Sequence, residues 1–445
     1  MVSGILLRVL AIYFNVYISN RIGTEMLGVF QLIMSVYLFG ITLANFGINL
    51  SSTRVVSEEL ALGNVSGTKK VAKHCLYFSL ISGISASFLF FTFRNFILEK
   101  CLHNKVSVEI IYMLCLALPL ISMCNAINGY FAGIRKVYKN SIAQFWEQIS
   151  KIVATTFLLN MFLPKGINYS CFALILGDLI SEISSFIFIY ILYLIEIKEK
   201  KSTIRFINLK NIFNNFKNSS EKVYSKEIFR ISFPVAITSY IRSGLSTVKQ
   251  LIIPSSLEKS GNTCKDALST YGIINGMSMP IIMFPEIFIK SFSNLLIPEF
   301  ARYFAKKDFK RAKEVTTLLL FLTSLFSILI SFSMYIFSDY LGLKLYNNLD
   351  SSYYIEILAP LAFFIYLDTV VDSILRGLDA QVGVMIVNIF DLIISCLIIL
   401  FVVPKLGVIG YILSIYVSEI FNFTCSMLQL FNIVYKNKKN NCKTT

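Results

Sequence analysis

The chain has 445 residues, of which 56% are hydrophobic and 15% charged, with a formal net charge of +15. This composition is too apolar for a water-soluble domain of this length, so lipid is the expected solvent. Uncharged runs at residues 27–50, 75–93 and 315–337 are long enough to cross a hydrocarbon core as helices. Such continuous runs exclude a barrel of short alternating strands.

The hydrophobic pattern predicts about twelve transmembrane helices, in chain order. The predicted fold class is therefore an all-α integral membrane protein, with two pseudo-symmetric six-helix bundles. The predicted spans are residues 2–19, 27–53, 74–93, 110–134, 137–162, 167–195, 231–256, 267–298, 315–337, 353–375, 380–403 and 406–435.

Lysine and arginine are concentrated in alternate connections between these spans, and the positive-inside rule then places both termini in the cytoplasm. The basic excess is thus explained by topology, with anionic lipid headgroups as neighbours. Nucleic acid is not an expected partner. The protein is predicted to be a multi-pass protein of the cytoplasmic membrane.

An internal duplication is indicated by residues that recur at a near-constant separation. Gly133 and Gly377 are 244 residues apart (377 − 133), and Gln144 and Glu147 match Asn388 and Asp391 in the same way. The segment Glu59, Ala61, Lys70, Ala72 and Lys73 matches Glu299, Ala301, Lys310, Ala312 and Lys313 with a separation of 240 (299 − 59), and Ser181-Glu182 matches Ser418-Glu419. These matches predict a parallel repeat of a six-helix unit, the architecture of many transporters.

The predicted domain boundaries follow from the long hydrophilic stretch near the middle of the chain. Residues 1–195 form the N-terminal six-helix bundle and residues 231–435 the C-terminal one. Residues 196–230 are a cytoplasmic basic linker, in which residues 204–216 form either an interfacial amphipathic helix or a solvated segment. Residues 436–445 are a basic cytoplasmic tail.

Three cations inside predicted spans lack an acidic partner at helical spacing. They are Arg8, Arg242 and Lys249, and Arg8 and Arg242 lie in the first helix of each half. Charged side chains in a membrane are expensive and mark functional sites. A guanidinium grips phosphate oxygens bidentately, so these residues are candidates for an anion-binding cavity. The alternative is pairing with acids of other helices.

Acidic residues in the spans form two further candidates. Asp178 with Glu182, and Asp368 with Asp372, place two carboxylates on one helical face, where they could bind a cation or share a proton. Neutralisation by neighbouring cations is the alternative. The i,i+4 pairs are predicted to be structural ion pairs: Glu147 with Lys151, Glu286 with Lys290, and Asp372 with Arg376.

Four prolines lie inside predicted spans and are expected to kink or gate them: Pro119, Pro280, Pro285 and Pro360. No grouping of nucleophile, base and orienting residue stands out, and no metal site or cofactor is expected. The protein is therefore predicted not to be an enzyme. Its driving energy would come from an H⁺ or Na⁺ gradient or from the membrane potential.

The sequence also resembles a known family, over most of its length. The resemblance is carried by residues 28–33, 54–61, 129–133, 144, 147–148, 271–272, 276–280, 284–285, 291–293 and 297–299. In these segments the chain is similar to the polysaccharide-type flippases of the multidrug/oligosaccharidyl-lipid/polysaccharide superfamily, which includes sporulation flippases, MurJ-type lipid II flippases and MATE antiporters. The resemblance implies a V-shaped pair of six-helix bundles.

The same resemblance implies a flippase that moves undecaprenyl-diphosphate-linked sugars between leaflets. Arg8 and the two residues after it resemble the first-helix context of MurJ-type proteins, where the arginine faces the diphosphate; Phe14 stands where those proteins often have a second arginine. The expected partners are membrane lipid, the lipid-linked sugar and envelope-synthesis proteins. A cation-coupled drug exporter of the same fold, or a non-transporting scaffold, is the alternative.

Overall fold

Long helices make up the computed structural model, which describes residues 2–102, 106–165, 169–199 and 219–436 and has no β-strand within them. Eight helices are long and apolar enough to cross a membrane, and ten are when two bent pairs each count as one span. Two further helices, Tyr138–Phe162 and Ser219–Lys259, are as long but carry more charged residues. The predicted all-α membrane class is confirmed, with a helix number consistent with about twelve.

The helices are numbered here in chain order. The first half contains α1 (Val2–Ile22), α2 (Thr24–Asn45), α3 (Ile48–Ala61), α4 (Val65–Thr92), α5 (Val108–Gly133), α6 (Tyr138–Phe162) and α7 (Tyr169–Glu199). The second half contains α8 (Ser219–Lys259), α9 (Cys264–Ile282), α10 (Glu286–Ala305), α11 (Phe309–Ile336), α12 (Leu349–Leu358), α13 (Leu361–Gly377), α14 (Gln381–Phe401) and α15 (Val403–Phe431).

The chain forms two compact units. The central unit is residues 32–247, and the terminal unit is residues 1–31 together with 248–445. Helices α2 and α8 each contribute to both. The proposed division into bundles at residues 196–230 concerns the duplicated halves and stays a prediction. The suggested amphipathic helix at 204–216 and residues 437–445 of the tail lie outside the described residues.

Both halves pair their helices in the same pattern, as the predicted duplication requires. In the central unit α5 packs against α3, α4 and α7, and α6 packs against α7. In the terminal unit α13 packs against α10, α11 and α15, and α14 packs against α15. Helices α5 and α13 therefore hold equivalent positions, each surrounded by three helices of its own half.

Two equivalent glycines allow close helix packing in both halves. A Cβ atom on Gly133 would lie 3.0 Å from the Thr53 carbonyl oxygen and 2.8 Å from the Val56 Cβ atom. A Cβ atom on Gly377 would lie 2.8 Å from the Ile297 carbonyl oxygen and 2.7 Å from the Phe300 Cβ atom. Each contact repeats 244 residues later (297 − 53 and 300 − 56). Close helix approach, which only glycine permits here, is thus common to both halves.

The connection between α3 and α4 and the connection between α10 and α11 also follow the separation of 244, which corrects one sequence match. The left-handed residues Gly63 and Lys307 are equivalent, and so are the N-caps that follow them, Asn64 and Asp308. Asn64 Oδ1 accepts from the Gly67 amide, and Asp308 Oδ1 accepts from the Arg311 amide. The predicted separation of 240 in this segment is therefore wrong by about one helical turn. Residues one turn apart lie on the same helix face, so sequence similarity alone did not distinguish them.

Bends occur at two of the four prolines. The axis turns by 57° between α9 and α10, where Pro285 precedes the first residue of α10, and by 53° between α12 and α13, next to Pro360. Pro280 lies in α9, before the first of these bends. Pro119 lies inside α5, which continues unbroken through it. A gating role for any of them stays a prediction.

Candidate functional site

The two predicted arginines are exposed on long helices. Arg8 lies on α1 in the terminal unit and Arg242 lies on α8 in the central unit, so they belong to different compact units. Neither side chain makes an ion pair or hydrogen bond with a described residue. Both are therefore cations on membrane helices that still have all their donors to offer.

The third predicted cation, Lys249, is engaged within the terminal unit. Its Nζ atom donates to Ser395 Oγ at 3.2 Å, and its charge acts on the carboxylates of Asp391 and Glu419. Asp391 in turn accepts a hydrogen bond from Ser418. Lys249 therefore has neighbouring acids in its own unit, and its role in anion binding stays a prediction.

The central unit holds a buried charge cluster between α6 and α7. Lys151 Nζ lies 2.8 Å from Asp178 Oδ1, and Asp178 is only 6% exposed. Glu147 instead accepts from Ser185 Oγ at 3.1 Å. The predicted intrahelical ion pair of Glu147 with Lys151 is therefore wrong, because the facing helix offers the lysine a better-placed carboxylate. Glu182 completes this cluster and interacts electrostatically with the other two acids.

A polar ladder runs between α13 and α15 in the terminal unit. Asn422 Nδ2 donates to Asp368 Oδ2 at 2.9 Å, and one turn further Ser426 Oγ donates to Asp372 Oδ1 at 3.4 Å. Arg376 Nη2 lies 3.3 Å from Asp372 Oδ2, which confirms that predicted ion pair. The Oδ1 atoms of Asp368 and Asn422 are buried and accept no hydrogen bond from a described residue.

Glu286 is the other buried acid of the terminal unit, only 3% exposed. Lys290 Nζ lies 2.8 Å from its Oε2 atom, which confirms the predicted pair. Thr369 Oγ1 donates to its Oε1 atom at 2.7 Å and so connects α10 to α13. Both carboxylate oxygens of Glu286 therefore have a partner, which offsets part of the cost of burying the group.

The neutral polar residues of these clusters were not predicted from the sequence, because only ionisable residues inside spans were candidates. Ser418, Asn422 and Ser426 recur every four residues on one face of α15, and all three face acids. That spacing within an apolar helix was the available signal. The acids form groups that could hold a proton or a monovalent cation, and the exposed arginines could bind an anion.

Comparison with known families gives two matches. The sequence model described as polysaccharide biosynthesis protein matches residues 1–304, and the MatE model matches residues 260–401. The first of these covers more than half of the chain, including Arg8 and Arg242.

Curated relatives come from Bacillus subtilis strain 168. Stage V sporulation protein B is 22% identical over 418 residues, which is 93% of this chain and 78% of that protein. Lipid II flippase MurJ is 23% identical over 404 residues, which is 84% of this chain and 70% of that protein. The chain is thus similar to sporulation and flippase proteins over most of its length.

Solved structures of transporters share the fold. An inward-facing multidrug resistance MATE transporter of the MOP superfamily matches with a TM-score of 0.73 at 14% identity, over 96% of this chain and 95% of that one. A MOP superfamily transporter from Pyrococcus furiosus matches with a TM-score of 0.63 at 15% identity, over 97% of this chain and 95% of that one. The chain is a multi-pass membrane protein that belongs to the polysaccharide biosynthesis protein family, with a MATE-like fold.

Proposed function

We propose that this protein is a flippase that moves an undecaprenyl-diphosphate-linked glycan across the cytoplasmic membrane by alternating access. The glycan would be lipid II or a related polysaccharide precursor used in cell-wall or spore-cortex synthesis. Envelope-synthesis proteins are its expected partners. The chain acts as a carrier in this proposal, with no catalytic residue.

One observation carries the proposal. Arg8 and Arg242 are exposed on membrane helices, make no ion pair or hydrogen bond with a described residue, and both lie within the stretch that matches the polysaccharide biosynthesis family. An arginine facing hydrocarbon would be strongly destabilising, so each is expected to face water or an anion. A diphosphate supplies oxygens that a guanidinium group can bind bidentately.

The driving force follows from the charge of that headgroup. Outward movement of an anion is favoured by an inside-negative potential, by about 2.3 kcal/mol per charge per 100 mV. The potential alone is then sufficient to drive export of a diphosphate-linked sugar. The proposed orientation has both termini in the cytoplasm, because the basic connections alternate along the chain.

The test is a leaflet-accessibility assay with the purified chain in vesicles that contain a defined diphosphate-linked glycan lipid. Replacing Arg8 by Ala removes charge-assisted hydrogen bonds, and about a tenfold or greater loss of flipping rate is expected. Arg242→Ala is expected to act in the same direction. Arg8→Lys should retain part of the rate, because it keeps the charge but loses the bidentate geometry.

Arg21→Ala is the matched control, since Arg21 lies on the same helix but stacks its guanidinium 5.5 Å from the centre of the Tyr17 ring. It is expected to flip the substrate at the rate of the unaltered chain. Equal rates for Arg8→Ala, Arg242→Ala and the unaltered chain would contradict the proposed diphosphate site.

A cation-coupled drug exporter is the second candidate, favoured by the acids of the terminal unit. Five carboxylates, at 286, 368, 372, 391 and 419, accompany three cations, at 249, 290 and 376. An excess of acids over cations on membrane helices suits proton or Na⁺ coupling. For this candidate Asp368→Asn is expected to abolish export of a cationic dye, measured in the same vesicles with an imposed proton gradient.

A further inference from the structure

Two short segments at equivalent places in the repeat remain unexplained by transport. The first hairpin segment is residues 93–102, after α4, and the second is residues 337–346, after α11. Each contains a π-helical turn, Ile97–Cys101 in the first and Tyr340–Leu345 in the second. One segment belongs to the central unit and the other to the terminal unit.

The exposed positions of the two segments coincide when the separation of 244 is applied. Phe93 and Phe96 are 55% and 58% exposed, and their equivalents Phe337 and Tyr340 are 55% and 54% exposed. Inward positions also coincide, since Leu98 and Gly342 are both buried. Each segment therefore exposes two aromatic rings and buries a residue at an equivalent position.

A lysine follows the second ring by one turn in both segments. Lys100 and Lys344 are exposed, and they stand in the same relation to Phe96 and Tyr340. Lys344 Nζ lies 4.7 Å from the centre of the Tyr340 ring. An aromatic ring beside a lysine has one apolar and one charged part, which suits the boundary between hydrocarbon and headgroups.

The preceding helices show what covers these rings. Phe88 at the end of α4 is 68% exposed, and Phe332 at the end of α11 is 64% exposed, on helices that cross the hydrocarbon. The exposed rings of the hairpin segments continue these lipid-facing surfaces at the point where each span ends. The exposed surface of each segment is therefore continuous with a lipid-facing helix surface. Its lysine supplies a cation at the level where lipid phosphates begin.

We propose that both hairpin segments bind phospholipid headgroups, with the aromatic rings in the interface and Lys100 and Lys344 on lipid phosphate. Each unit then carries its own anchor at one membrane surface, at equivalent positions of the repeat. This inference does not depend on the transported substrate. It assigns a ligand class, the phospholipid phosphate, to two segments outside the charged clusters.

The test uses the fact that the chain has one tryptophan. Trp146→Phe provides a background in which Tyr340→Trp, Phe96→Trp and Leu325→Trp each place a single indole, the last on the exposed face of α11 within a span. The full chain is reconstituted in phosphatidylcholine vesicles that carry a nitroxide either at the headgroup or deep in the acyl chain. If Trp146→Phe does not fold, judged by its thermal transition, the placements are made in the unaltered chain and its signal is subtracted.

The headgroup nitroxide is expected to give the larger loss of fluorescence at positions 340 and 96, and the deep nitroxide at position 325. Lys344→Leu, added to Tyr340→Trp, is expected to shift quenching toward the deep label, because it removes the phosphate contact. Quenching by aqueous iodide alone would mean that the segments lie in water and would overturn the proposal. Protection of the indoles from every quencher would mean that protein covers the segments. An unchanged quenching depth in Lys344→Leu would mean that Lys344 does not contact lipid phosphate. Either result also overturns the proposal.

Discussion

The two halves of this chain share one backbone arrangement and differ in where they bury charge. In the central unit an ion pair between α6 and α7 joins Lys151 to Asp178. The equivalent positions in the terminal unit are Ser395 (151 + 244) and Ile415, if the last helix follows the Ser181–Ser418 match. Lys249 donates to that serine instead. The repeat has thus kept a cation at this place but takes it from a different helix.

The helices at the centre of each half also differ in charge, with acids in the terminal unit and neutral residues in the central unit. Asp368 and Asp372 on α13 correspond to Cys124 and Asn128 on α5 (368 − 244 and 372 − 244). Cys124 is buried, so a small neutral residue is sufficient for packing at that position. We therefore expect that the fold does not require the Asp368 carboxylate, which makes this residue a candidate for function.

The largest effect on stability is expected from Lys151→Met. Removing one partner leaves the Asp178 carboxylate buried without a cation, and this loss is expected to lower the free energy of unfolding by about 3–5 kcal/mol. Lys151→Met combined with Asp178→Leu should recover most of it. Ser395→Ala, at the equivalent place of the other half, is the control. Denaturant unfolding in detergent measures all four proteins, and a Lys151→Met variant as stable as the unaltered chain would contradict the ion pair.

The second largest effect tests whether the halves share their packing. Gly133→Ala and Gly377→Ala each force a methyl group against the facing helix, and each is expected to lose about 1–3 kcal/mol. Gly244→Ala is the matched control, because the nearest atom to its added Cβ would be 3.5 Å away. Thermal unfolding compares the three variants. A loss in only one half would show that the two close approaches are not equivalent.

These glycines also show what sequence reasoning could and could not supply. Membrane class, helix number and duplication followed from long apolar runs and matched residues, since span length and small residues at contacts are local properties. Gly133 and Gly377 were matched correctly. The match of Lys70 with Lys310 was wrong by about one turn, because equivalent faces repeat every turn and only the caps at Asn64 and Asp308 fix the register.

Ion pairs between different helices were the second feature that the sequence could not predict. The i,i+4 spacing predicted the pairs of Glu286 with Lys290 and of Asp372 with Arg376, because both residues lie on one helix. Lys151 forms its ion pair with Asp178 on a facing helix, and no spacing along one helix could predict that pair. The roles assigned to Arg8, Arg242 and the acidic pairs remain predictions for the experiments above.

A smaller effect is expected from Asp368→Asn. The amide keeps an acceptor for Asn422 and is close to the carboxyl group in size, so the free energy of unfolding should change by about 1 kcal/mol or less. Calorimetry in detergent tests this expectation. A loss as large as that of Lys151→Met would mean that α13 needs its carboxylate for folding, contrary to the comparison with Cys124.

The smallest effect is expected from an exposed ion pair. Arg54 and Glu58 are 63% and 46% exposed in their side chains, with Arg54 Nε 2.9 Å from Glu58 Oε1. Arg54→Ala should change the free energy of unfolding by about 0.5 kcal/mol or less. A larger loss, measured at low and high salt, would show that surface charges as well as buried ones distinguish the halves.

The central claim is that the cargo is an anionic lipid-linked glycan, and one measurement tests it most directly. Vesicles containing the purified chain are given both a diphosphate-linked glycan lipid and a cationic dye, and the movement of each is followed with and without an imposed membrane potential. Our account predicts that the glycan lipid crosses, that it does so faster toward the positive side, and that Arg8→Ala prevents this. Export of the dye alone, with the glycan lipid left in its original leaflet, would contradict it.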